Sequence, residues 1–151
     1  MSLRINAVTV EWQNALPTTA NLEMRTVQAE KRVSWGTPDA GGKLKSSYGF
    51  TGALPPVKFL SPGDRFDLGR LRHFNHRVDC PCLETIDLVV TIDAADNGQH
   101  VITIPIGHTE TDNITGDPVL DHDIISVTGG LPLDLTFPAN EGTAIIRVIG
   151  F

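Results

Sequence analysis

Two runs of strict alternation constrain this chain more than any other feature. From Leu83 to Asp93, Ile86, Leu88, Val90 and Ile92 share one parity, and Thr85, Asp87, Val89 and Thr91 share the other. From His100 to Ile106, Ile102, Ile104 and Ile106 alternate with Val101, Thr103 and Pro105. A period of two sends one row of side chains to a core and the next to the opposite face, as a strand does. Between the runs lies Ala94-Ala95-Asp96-Asn97-Gly98, with the Asn-Gly pair that favours a hairpin turn. The expectation is a central antiparallel hairpin. Pro105 has no N–H to give a ladder, so it marks an edge or a ladder's end.

The remainder reads as further short strands. Leu3 to Gln13 carries apolar residues on both parities, Leu3, Ile5 and Ala7 against Val8, Val10 and Trp12. Such a strand is buried on both faces or bulged near Ala7. Strands follow around Leu22–Val27, Arg32–Gly36, Ser46–Gly52, Ile124–Val127, Leu133–Phe137 and Thr143–Phe151. Pro55-Pro56 forces an extended connector, residues 107–123 form a long acidic loop, and Asn140-Glu141-Gly142 turns between the last two strands. The single helix candidate, Asn21 to Lys31, carries Thr26 and Val27 and reads better as strand. Roughly ten strands at spacings of about 8–15 residues define an all-β chain. The fold class expected is a single-domain antiparallel β-sandwich of jelly-roll type spanning residues 1–151. The length suffices for one core.

Phe66 and Leu68 alternate with Asp67, and the alternation changes phase at Gly69, which suggests a β-bulge. Beyond it Leu71, His73 and Asn75 share one face, and Arg70, Arg72, Phe74 and His76 share the other. If the Leu71 face is inward, His73 and Asn75 must find hydrogen-bond partners. The bland role for such a pair is to tie neighbouring loops to the sheet, and the sharper one is to face a ligand.

The net charge of −6 argues against electrostatic nucleic-acid binding. Residues 1–80 hold 11 of the 12 bases against 7 acids, a surplus of four positive charges. Residues 81–151 hold one base, Arg147, against 11 acids. Either strands from the two halves interleave and the charges mix, or the surface is two-signed and suited to association. No hydrophobic run reaches transmembrane length, and no signal peptide or anchor is legible in the chain. Cys80 and Cys82 flank Pro81 and are too few for a disulfide scaffold. Ordinary loop thiols are the plain reading. A metal site would need two more ligands, with His73 and His76 near in sequence, and a bridge from i to i+2 would be strained.

Trp12 and Trp35 sit on strand patterns and are expected in the core, although indoles can also stack on sugars. Glu110, Asp112, Asn113, Asp117, Asp121 and Asp123, with His122 among them, offer the oxygen chemistry that Ca²⁺ takes, without the EF-hand spacing. They are the candidate Ca²⁺ ligands. No complete catalytic constellation is present: there is no G-x-S-x-G and no Cys–His pair with an orienting third group.

An ordered set of landmarks carries a family resemblance. It runs Trp35-Gly36-Thr37-Pro38, Ser47, Phe50-Thr51-Gly52, Phe66-Asp67-Leu68-Gly69-Arg70-Leu71-Arg72-His73-Phe74-Asn75, Glu110-Thr111-Asp112-Asn113, Asp123-Ile124-Ile125-Ser126 and Ile149-Gly150-Phe151. From about Ala7 onward the chain resembles the choice-of-anchor K domain, the THxN type of bacterial surface protein. Arg72 stands where that family has the Thr of Thr-His-x-Asn. The resemblance implies a β-rich extracellular domain with no enzymatic activity. It marks Trp35, Gly36, Phe66, Leu68, Gly69, His73, Asn75, Glu110, Asn113, Asp123, Gly150 and Phe151 as structural motif residues. The expected role is a non-catalytic structural or interaction module. It would be held by non-covalent contacts to itself or to a larger extracellular, cell-surface or virion-type assembly. The runner-up is a Ca²⁺-dependent module for carbohydrate or another surface ligand.

Overall fold

The computed structural model describes residues 2–53 and 58–150. The Pro55-Pro56 connector and Phe151 lie outside the described residues. The strands are β1 (Leu3–Ile5), β2 (Ala7–Leu16), β3 (Glu23–Val27), β4 (Glu30–Trp35), β5 (Thr37–Pro38), β6 (Ser46–Gly52) and β7 (Lys58–Leu60). Then come β8 (Gly69–Phe74), β9 (Val78–Asp79), β10 (Thr85–Asp93), β11 (Gln99–Thr109), β12 (Ile124–Val127), β13 (Leu133–Ala139) and β14 (Gly142–Val148). Among the described residues the only helical turn is a 3₁₀ turn at Ala95–Asn97, inside the expected hairpin loop. The chain is all-β.

Two four-stranded antiparallel sheets make the sandwich, one in the order β12-β11-β10-β2 and the other β3-β4-β6-β8. Strand β2 packs across β4 and β6. The inner rows are those the alternation names: Ile86, Leu88, Val90 and Ile92 from β10, Ile102, Ile104 and Ile106 from β11, all buried. They meet Val33, Trp35, Tyr48 and Phe50 of the other sheet in one core, which also takes Trp12. Both indoles are therefore core groups and not exposed platforms. Three of the six neighbouring pairs in these sheets are consecutive in the chain (β12/β11, β11/β10 and β3/β4), and the strand order does not by itself carry the jelly-roll winding expected from sequence.

Three local readings change. The two apolar parities of residues 3–13 come from a break and not from burial on both faces or a bulge near Ala7. Strand β1 pairs with β7 and β2 with β10, and the chain switches sheets at Asn6, whose N–H bonds Asp93 O at 2.9 Å. The register shift of β2 lies instead opposite Thr85/Asp87, where Asn14 takes a φ of 53°. Phe66 and Leu68 alternate because both are half-buried against the core, but they form no strand. Strand β8 starts at Gly69 and its register with β6 runs unbroken from Gly52↔Gly69 to Ser47↔Phe74, with no bulge. Gly69 is required because a Cβ there would collide with the Thr51 carbonyl and the Phe50 ring. Finally, Cys80 and Cys82 are joined in a disulfide across Pro81. Their Cα atoms are 4.4 Å apart, inside the range a disulfide spans, so neither free loop thiols nor a Cys-ligated metal site fits.

Pro105 sits where the β12 ladder stops, beside the Ile106↔Val127 pair, while the β10 ladder continues past it opposite Asp87. The alternation then carries on to His108, so β11 extends into the segment expected as loop. The parity of His108 is that of the three isoleucines, so an imidazole points into the sandwich.

Candidate functional site: a buried histidine–carboxylate cluster

The register brings one end of each strand together. Strand β4 ends at Trp35, β6 begins at Ser46, β8 approaches its end at His73 and β11 at His108. Tyr48 pairs with His73 across β6 and β8, on the inward face. Trp35, Tyr48, His73 and His108 form an aromatic cluster, with the Trp35 and His73 rings nearly parallel at 6.1 Å. Loop 110–123 closes this end and contributes Glu110 and Asp123 from its two extremities.

The polar contacts are dense. His108 Nε2 is 3.2 Å from Glu110 Oε2 and 3.8 Å from Asp123 Oδ2. His73 Nε2 is 3.1 Å from Asp123 Oδ2. That distance is close enough for an ion pair, yet neither atom makes a properly directed hydrogen bond. Trp35 Nε1–H donates to Glu110 Oε2 at 2.7 Å, and Ser46 Oγ lies 3.4 Å from Glu110 Oε1. Thr111 gives its N–H and hydroxyl to Asp123 Oδ1, at 2.9 and 3.1 Å. The Tyr48 hydroxyl and His108 Nδ1 are 2.5 Å apart. The side chains of His108 and Asp123 have no exposed surface. Burial, then the negative charge of Asp123 and Glu110, pushes the Tyr48 hydroxyl up, so it stays protonated. For Asp123 burial alone would raise the carboxyl. Contacts from His73, the Thr111 N–H and His108 outweigh it and hold the group below its ordinary value.

Asn75 does what the bland reading of His-x-Asn expects. It exchanges amide hydrogen bonds with Asn113, at 3.1 and 2.7 Å, and donates to Asp121 O at 3.0 Å. It thus ties loop 110–123 to the end of β8. His73 instead enters the buried cluster. Gly36 has φ +79° and packs on Val78, which the absence of a Cβ allows.

The six candidate Ca²⁺ ligands separate. Glu110 and Asp123 turn inward. The Asp121 carboxylate accepts from Thr115 N and Oγ1 and Gly116 N, and Asp117 accepts from Val119 N, so both are spent on the loop's own backbone. Asn113 is paired with Asn75, and Asp112 is exposed. Among the described residues the group of three or more His, Cys, Asp or Glu donors that converges is His73, His108 and Asp123, within 4.8 Å of one another. Sequence reading picked His73, Asp123 and Glu110 and missed His108, Tyr48, Ser46 and Thr111. Extending the β11 alternation by two residues would have found His108. Gly150, of the expected motif, is exposed at the end of the chain described.

Comparison with protein-family models, with curated proteins and with solved structures finds no match.

Proposed function

We propose that this chain is a non-catalytic structural and interaction module, a β-sandwich subunit that associates through non-covalent contacts with copies of itself in an extracellular, surface or virion-type assembly. The observation that carries the reading is the edge of β14. Among the described residues β14 pairs only with β13. Its inner row, Ala144, Ile146 and Val148, is buried, while Ile145 is 60% exposed and Ile149 56%. An open groove lined by Leu60, Phe66, Leu71 and Arg147 runs beside it. An unpaired strand edge with apolar residues is a template for pairing with another chain.

Three further features support this reading. The landmarks of the choice-of-anchor K domain favour a surface role. The Cys80–Cys82 disulfide suits an oxidising compartment. And the buried cluster is enclosed by aromatic rings and hydrogen bonds and offers no nucleophile beside a base at an open surface. The Ca²⁺-dependent carbohydrate reading is the weaker one, because the loop carboxylates hold their own loop and the tryptophans are buried. Ile145→Lys places a charge on the open edge without touching the core. It should leave the melting temperature close to that of the unaltered protein while lowering the particle size by light scattering at equal concentration. Assembly identical to that of the unaltered protein would contradict a β14 interface.

A further inference from the structure

We propose that His73, His108 and Asp123, with Glu110 as fourth ligand, form a closed binding site for a divalent transition-metal ion of the zinc type. Asp123 has no exposed side-chain surface and Glu110 little. Among the described residues neither has a Lys or Arg partner, and the ion-pair partners of both are imidazoles. Buried carboxylates without a compensating cation are costly. A divalent cation between them would neutralise both.

Geometry points the same way. Bonds of about 2.0–2.1 Å to nitrogen and oxygen put tetrahedral ligand atoms about 3.3 Å apart. The separations here are 3.1 Å for His73 Nε2–Asp123 Oδ2, 3.2 Å for His108 Nε2–Glu110 Oε2 and 3.8 Å for His108 Nε2–Asp123 Oδ2. In Asp123 and His108 the near and far atoms are treated differently. The far oxygen of Asp123 takes both Thr111 donors, and the far nitrogen of His108 meets the Tyr48 hydroxyl. Trp35 Nε1 fixes the Glu110 carboxylate. Outer contacts of this kind orient metal ligands. By contrast, His73 Nε2 and Asp123 Oδ2, both buried and aimed into the cluster, have no hydrogen-bond partner. Two imidazoles and two carboxylates favour zinc-type ions over Ca²⁺ or Mg²⁺, which prefer oxygen alone. His73, His108 and Asp123 converge within 4.8 Å, and Glu110, outside that group but 3.2 Å from His108 Nε2, would turn in to supply the fourth ligand and close the site, as in a structural zinc centre. The ion would tie β8, β11 and both ends of loop 110–123 together.

The test uses the full chain, stripped with a chelator and dialysed, then titrated with Zn²⁺ by calorimetry and with Co²⁺ by visible absorption. One ion per chain, an intense tetrahedral Co²⁺ spectrum and a higher melting temperature with Zn²⁺ are expected. Asp123→Asn and His73→Gln should each weaken Zn²⁺ binding about tenfold or more, while Asp117→Asn, in the same loop, should leave it unchanged. Absence of stoichiometric Zn²⁺ uptake by the unaltered protein would overturn the site, and so would equal affinity in the Asp123 and His73 variants. If either variant fails to fold, the titration and Co²⁺ spectrum of the unaltered protein still decide. A cluster held by hydrogen bonds alone would show no Co²⁺ spectrum.

Discussion

Single residues decide where this molecule departs from a plain sandwich, and Glu30 is the clearest case outside the cluster. Its carboxylate lies on the outer face of the β4–β6–β8 sheet, in the space that a Cβ on Gly49 would need. It is 4% exposed, bonded by Arg32 Nε at 3.0 Å and by Arg72 Nε at 2.7 Å. Both guanidiniums also lie over the Phe74 ring. Burial pushes the carboxyl up, but the hydrogen bonds and charges of Arg32 and Arg72 more than offset this, and the group is held below its ordinary value of 4.5. A depressed carboxylate stabilises the native state above its unfolded pKa, and that contribution is lost as pH falls through the folded value. Glu30→Gln should therefore lower stability at neutral pH, and the gap to the unaltered protein should close as pH drops below 4.5. Denaturant midpoints measured against pH check this, and a gap independent of pH would contradict it. Little of this was legible in sequence. Arg72, at the position where the resembled domain has Thr, reads in sequence as a departure from a motif, and only the cross-strand register Arg32↔Gly49↔Arg72 explains what it holds. His73 and Asn75 were legible as polar groups on an inward face. Their partners come from residues 38 to 50 positions away, and no local pattern encodes such contacts.

At the scale of elements, strict alternation was the dependable signal. Residues 85–93 and 99–109 pair as a hairpin in register Leu88↔Ile104, and Leu88 is fully buried. Leu88→Ala should cost about 2–5 kcal/mol in chemical unfolding, from lost burial and the cavity left behind. A cost below 1 kcal/mol, about what a surface change gives, would contradict its place in the core. Where alternation was mixed, the reading failed for identifiable reasons. Residues 3–13 serve two sheets, so one parity rule could not describe them. Phe66 and Leu68 pack on the core from an irregular segment, which imitates a strand in sequence. The acidic loop looked like an oxygen cage, but short-range Asx bonding within residues 115–121 takes the carboxylates first.

Across the whole molecule, the two halves of the sequence interleave within the two four-stranded sheets only where β2 pairs with β10. One sheet comes entirely from residues 23–74 and the other, apart from β2, from residues 85–127. Strands β3, β4, β6 and β8 carry five bases against two acids, whereas β2, β10, β11 and β12 carry three acids and no base. Arg147, the lone base of the C-terminal half, is taken up by Asp134 in two 2.7 Å bonds. The strands of the two sheets thus carry opposite net charge beside a β14 edge that is unpaired among the described residues, a combination that would favour the proposed stacking of copies. Attraction between exposed charges is screened beyond about 10 Å at 0.1 M salt. The most direct measurement is sedimentation velocity of the full chain over a wide range of protein concentration at low and high salt. The account predicts an average mass that rises with concentration and falls when salt is added. A monomer at every concentration, indifferent to salt, would contradict it.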